Sequence, residues 1–270
     1  MSLDELTTAN RTAVLEFLLA LADDDFVAGH RYTDWTAVGP TLEEDNAISS
    51  MAQDELGHAR IWYDLISQHH EGNIDDLAFN RPAEERRNSV LLEVEHEDFA
   101  YAIAHNYLYG TAEKRLLETL LDGKVDAVAD RAEQILDEEP YHREHAESWL
   151  DRLVATEEGR DRLESAFRDA LPRAADLFTF DDERVTQLMK AGVFTKDPVI
   201  LDQEWNAEVC ERIADLPLGI TVDEADELLS QPPERNGRAG EHTDHLTSMI
   251  DEMHADNLAG EHPISQTLRT

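Results

Sequence analysis

Apolar residues recur at steps of three and four along most of this chain, the period of helices that bury one face. In the first long segment the stripe reads Val14, Leu18, Leu21, Asp25, Ala28, Tyr32. The second reads Ile48, Met51, Glu55, His58, Trp62, Leu65, and the third Phe99, Ile103, Asn106, Gly110, Glu113, Leu117, Leu120. A fourth runs Val125, Val128, Ala132, Ile135, Glu139, His142, Ala146, Trp149, Leu153. These stripes predict long helices over 8–34, 43–70, 95–121 and 125–154. Shorter ones are expected over 157–179, 183–191, 199–215, 222–230 and 241–257. Turn signals separate them at Gly39-Pro40, 72–82, Gly123, near Pro172, and 231–240. No long run of alternating β-branched residues appears, so the expected fold is all-α. Residues 1–155 are read as an antiparallel four-helix bundle, with 156–270 as a helical extension packed on it in a single domain.

The stripes carry a chemical signal, because Asp25, Glu55, His58, Glu113, Glu139 and His142 all fall where apolar residues belong. A carboxylate inside a bundle is costly unless it is paired, protonated or bound to a metal. Glu55 and His58 lie in QDELGHAR, and Glu139 and His142 in EEPYHREH. In each copy the spacing of three lets both side chains reach one ion. Two Glu-x-x-His helices plus an acid from each of two others form the ligand set of di-iron carboxylate bundles. Oxygen and imidazole donors suit iron or manganese. The alternative is a buried Glu–His hydrogen-bond network without metal. Pro140 lacks a backbone donor and predicts a kink or a π-type turn inside the second motif.

Other polar residues receive structural readings. A third match, Glu93–His96, is read as a chance occurrence at the start of the third helix. Asp23 and Asp24 read as a solvated face, with Asp25 set apart by its place on the stripe. His30 and His105 are expected to be hydrogen-bonded helix residues, and His69-His70 to favour the negative end of the second helix. His242 and His245 read as a helix start packed on the bundle or at a subunit surface. The four tryptophans, Trp35, Trp62, Trp149 and Trp205, are assigned to core or interface.

Composition narrows the setting. The net charge of the 270 residues is −37, with only four lysines, which excludes nucleic-acid binding through phosphate contacts. With 41% hydrophobic residues the chain can still fold. This acidic, lysine-poor balance is read as halophilic, since concentrated salt screens the self-repulsion. Cys210 is the only cysteine, which rules out an internal disulfide and a thiolate cluster. MSLDELTTANR has no basic segment, and LEFLLALA is too short to span a bilayer, so a cytoplasmic location is expected.

Several of these segments resemble the C-type member of the phenylacetyl-CoA monooxygenase family, also called 1,2-phenylacetyl-CoA epoxidase. The likeness runs from Leu21 to Arg60, where Gly39-Pro40 leads into ELGHAR. It continues through DDLAFNRP (75–82), LLEVEHEDFAYAIAHNYL (91–108) and YHREHAESWLDRL (141–153). Its most specific match is GRAGEHTDHLTSMIDEM (237–253), because this owes nothing to generic di-iron geometry. The resemblance implies a ferritin-like bundle and a place in aerobic phenylacetate degradation. It further implies hetero-oligomeric assembly with an A-type catalytic subunit, which holds a di-iron centre and epoxidises phenylacetyl-CoA, and indirectly with a reductase. C-type subunits act chiefly as structural partners and have usually lost several ligands. This chain departs from them by keeping Glu55, His58, Glu139 and His142, with Asp25 at the first-helix acid position. The family's third-helix acid falls on Gly110, and Glu113, one turn on, is the candidate replacement. Two further readings stay open: a di-iron or manganese–iron oxygenase in its own right, and a non-enzymatic iron-binding or scaffold protein.

Overall fold

Ten helices follow one another in a computed structural model that describes residues 1–259 apart from Glu71 and Glu97, with side chains through His254. Among these residues there is no strand, and no helix is long and apolar enough to cross a membrane. The long helices are α1 (Thr8–Thr33), α2 (Leu42–Ser67), α4 (Phe99–Leu121) and α5 (Asp126–Leu153). Thr7, Thr41 and Asp98 begin the first three by accepting a hydrogen bond from a first-turn amide. α1 packs along α2 and α4 along α5, and the two hairpins enclose the apolar stripes. Around them lie α6 (Glu157–Ala174), α7 (Asp182–Ala191), α8 (Pro198–Asp215), α9 (Val222–Leu229) and α10 (Asp244–Ala259). α6 and α8 pack on α4, and α7 packs on α1. Trp62 and Trp205 are fully enclosed, while Trp35 and Trp149 flank Phe99 edge-on.

The structure corrects several boundaries. The third long helix starts at Phe99 rather than 95, because 90–93 form a 3-10 turn and Asp98 caps the helix. The stretch read as turn over 72–82 contains a short helix, α3 (Ile74–Phe79), opened by a reciprocal Asn73–Asp76 capping box. At Pro140 the helix stays α-helical with no π-type turn, so the motif at 139–142 keeps regular one-turn spacing.

The larger correction concerns Asp23 and Asp24, which are buried rather than solvated. Remote arginines cover them. Asp23 pairs with Arg81 and accepts from the Tyr63 hydroxyl and the Arg87 amide. Asp24 pairs with Arg238 at 2.7 Å and accepts from the Ser89 amide at 2.8 Å. Glu93 and His96 belong to neither candidate metal group among the described residues, but Glu93 has a structural role. It is fully buried and accepts from His242 (2.5 Å), from the Thr243 amide and hydroxyl, and from Asn88. The segment carrying Glu93 thus clasps the late histidine signature, and Gly237 makes the clasp possible. A Cβ at that position would lie 2.0 Å from the Asn88 carbonyl oxygen.

Candidate metal centre

Inside the bundle, α2 contributes Glu55 and His58, α5 contributes Glu139 and His142, and α4 contributes Glu113, each at most 3% exposed. Their ligand atoms form two triads that share Glu55. One is Glu55–Glu139–His142 and the other Glu55–His58–Glu113, each with its chosen atoms within 4.8 Å of one another. Each triad thus contains a Glu and a His three residues apart, together with one acid from another helix. Gly110 itself leaves room, since a Cβ there would meet Arg143 Cγ at 3.7 Å and Asn106 Oδ1 at 3.9 Å. Asp25 is equally buried but belongs to neither triad. Its Oδ1 accepts from the Tyr109 hydroxyl at 2.5 Å, while its Oδ2 has no partner among the described residues.

The histidines are oriented by two acids that the stripes did not single out. His58 donates from Nε2 to Glu138 at 3.0 Å, and His142 from Nε2 to Asp54 at 3.4 Å. Each acid directly precedes the glutamate of the opposite Glu-x-x-His motif, so the two helices hold each other's imidazoles reciprocally. The signal was present as an acid before each motif, but on a half-exposed rim of so acidic a chain it looked like ordinary surface. With the N–H on Nε2, each Nδ1 points a lone pair inward. His142 Nδ1 lies 3.3 Å from Glu55 and 3.4 Å from Glu139, and His58 Nδ1 lies 3.6 Å from Glu139. Lone pairs facing carboxylates at these distances repel unless a proton or a cation lies between them.

The hydrogen-bond inventory agrees. Glu55 Oε2, His58 Nδ1, both oxygens of Glu113 and of Glu139, and His142 Nδ1 are buried without a partner among the described residues. Orphaned polar atoms at this density are rare in a folded core. Burial, reinforced by the neighbouring acids, pushes Glu55, Glu113 and Asp25 well above the usual carboxylate range. Burial and the charge of Glu55 push Glu139 up to about 8. Burial lowers His58, partly offset by its bond to Glu138. These residues fit a metal: two divalent cations would neutralise the four carboxylates of Asp25, Glu55, Glu113 and Glu139 and satisfy both Nδ1 lone pairs.

Not every candidate joins this cluster. His242 serves the Glu93 clasp, and His245 is half-exposed on the surface. Among the described residues His105, buried, has against expectation no hydrogen-bond partner on either ring nitrogen, and His30 has none on Nε2.

The family described as phenylacetic acid catabolic protein matches residues 1–262 of the chain. The chain belongs to this family. Within it, the C-type subunit of 1,2-phenylacetyl-CoA epoxidase from Escherichia coli K12 is 28% identical over 239 residues. That match covers 88% of this chain and 93% of the relative. A solved Synechococcus protein with aldehyde deformylating oxidase activity superposes with a TM-score of 0.60 at 16% identity. The superposition covers 83% of this chain and 97% of that one. At such identity the likeness speaks for the fold alone, a ferritin-like helical bundle. This member of the phenylacetic acid catabolic family is thus similar in sequence to a C-type epoxidase subunit, and its core brings together Glu55, His58, Glu113, Glu139 and His142.

Proposed function

We propose that this chain is the C-type subunit of a multicomponent phenylacetyl-CoA oxygenase, paired with an A-type catalytic subunit that is served by a reductase. In this reading it keeps a metal centre of its own. Glu55, Glu139 and His142 would hold one iron, and Glu55, His58 and Glu113 a second. The observation that carries the reading is the sharing of Glu55 between two triads whose remaining donor atoms are all unpartnered. Bound iron would supply dioxygen chemistry. The chain's own residues exclude water, set the imidazole tautomers through Glu138 and Asp54, and hold Asp25 on Tyr109 beside the cluster. The acidic surface fits a salt-filled cytoplasm, and cooperative folding in dilute buffer that added KCl leaves unchanged would contradict that part.

A second reading, in which this chain is itself the oxygenase, is favoured by the same intact cluster. One experiment separates the two. The chain is purified in molar KCl, alone and co-expressed with an A-type partner, and assayed on phenylacetyl-CoA with a reductase. The first reading expects a stable complex, turnover only in that complex, and turnover that survives His58→Ala. Turnover by the isolated chain, abolished by His58→Ala, would overturn it in favour of the second.

A further inference from the structure

Gly57 stands in the interior of α2, between Glu55 and His58, and packing gives no reason for it. Only proline disfavours a helix interior more than glycine does. Elsewhere on the bundle a glycine is required: at Gly29 a Cβ would press to 2.9 Å from Leu56 Cγ. At Gly57 a Cβ would meet nothing within 4 Å. The residue is exposed and lines a groove of about 430 Å³ along α2 and α5, with Asp64, Asp130, Arg131 and Gln134.

The cluster comes within one side chain of water along this same seam. On the other side of the bundle α6 and α8 cover α4, and α7 covers α1. α2 and α5 meet each other more sparsely than each meets its hairpin partner. There the buried imidazoles of His58 and His142 are backed by Glu138 and Asp54, whose side chains are 48% and 38% exposed. Each acid uses one oxygen on its imidazole, Glu138 Oε2 and Asp54 Oδ2, which leaves the other for a cation. A helical side chain covers the surface over the turn before its own Cα. A side chain at 57 would therefore lie over Gln53 and Asp54, across the mouth of the seam.

We propose that the α2–α5 seam is the entry path for divalent cations, with Asp54 and Glu138 as docking acids and Gly57 as the gap that keeps them reachable. The inference rests on the metal reading above. Carboxylate oxygens of the two docking acids replace part of the water shell of an arriving ion, as hard cations favour. Glu55 and Glu139, next to them in sequence and on the far side of the imidazoles, receive it. Molar salt screens charges beyond about 3 Å, so an unobstructed approach matters more here than long-range attraction. Gly57 holds no ligand, so it acts on the rate of passage and not on the bound state. An obstruction at this position slows entry and release by the same factor and leaves the affinity where it was.

The test reads Co(II) loading of the apo protein in molar KCl by stopped-flow, through the cobalt ligand-field band, and release into excess EDTA. Gly57→Ala should load like the parent and unfold at higher denaturant. Gly57→Gln and Gly57→Trp should load progressively more slowly, roughly tenfold for Trp, and release more slowly by the same factor. Final cobalt per chain and Kd should stay at the parent values. Val222→Trp, which adds the same bulk at an exposed α9 position, should load like the parent. Parent-like loading in Gly57→Trp would overturn the path, as would an equal slowing in Val222→Trp or slow loading explained by a changed Kd. If Gly57→Trp does not fold, Gly57→Gln decides by the same criteria. A parent that binds no cobalt would instead remove the metal reading, and the path with it.

Discussion

Asp24 and Asp25 are neighbours on α1 and equally buried, yet they belong to opposite kinds of interior. Asp24, with Asp23 and Asp176, is met by Arg238, Arg81 and Arg86 and by the backbone amides of Ser89, Val90 and Gly237. Asp25 faces Glu55 and Glu139 and has one neutral donor, Tyr109. In the ionic region Asp23 and Asp24 each have an arginine, and Asp176 accepts from the Ser89 hydroxyl and two backbone amides. The cluster around Glu55 is unfinished, with carboxylates and imidazole lone pairs turned toward each other. Burial of acids therefore marks no function in this chain; burial without partners does.

The comparison breaks most visibly in the ionic region. Arg238→Ala should cost about 3–5 kcal/mol, because it leaves Asp24 and Asp176 buried and uncompensated. Denaturant unfolding in constant molar salt measures it, and a loss near zero would mean that water already reaches these acids. The same kind of truncation in the cluster should act the other way. Glu138→Gln or Asp54→Asn should leave apo stability nearly unchanged while weakening metal binding by about 10–100-fold, through loss of imidazole orientation. Competitive titration with a chromophoric chelator reads that change.

A third expectation concerns pH. Glu139 titrates near 8 in the metal-free protein, so below that value a proton competes with the cation for its oxygens. Apparent affinity should rise about tenfold per pH unit for each proton displaced as pH climbs toward 8, and the contribution of Glu139 should flatten above it. A titration series between pH 6 and 9 checks the slope, and a flat profile would remove Glu139 from the ligand set. The smallest effect belongs to Gly110→Ala. Its Cβ meets only ordinary contacts, so the helix should gain about 0.5–1 kcal/mol without change in metal content.

Much of this was legible in the chain. Steps of three and four placed the long helices and set Glu55, His58, Glu113, Glu139 and His142 on inward faces, because helical period is a local property. What stayed hidden depends on tertiary neighbours. Nothing local distinguishes Asp23 and Asp24 from a solvated acidic run, since Arg81 and Arg238 reach them from far along the chain. Glu93 looked like a stray motif because its partner, His242, lies 149 residues away. Asp54 and Glu138 were passed over because a half-exposed acid in this composition carries no contrast. The α3 helix was missed although its Asn73–Asp76 box stands in the sequence, since Gly72 and Pro82 dominate the reading of that stretch.

Iron per chain is the most direct test of the central claim. The protein would be loaded with ferrous iron anaerobically in molar KCl, desalted and assayed, beside His58→Ala and Arg238→Lys as an ionic-region control. The account predicts about two irons in the parent and in the control, with His58→Ala losing at least the ion shared by His58 and Glu113. Equal iron in parent and His58→Ala, or none in either, would contradict it and leave the Glu55 cluster a protonated polar core.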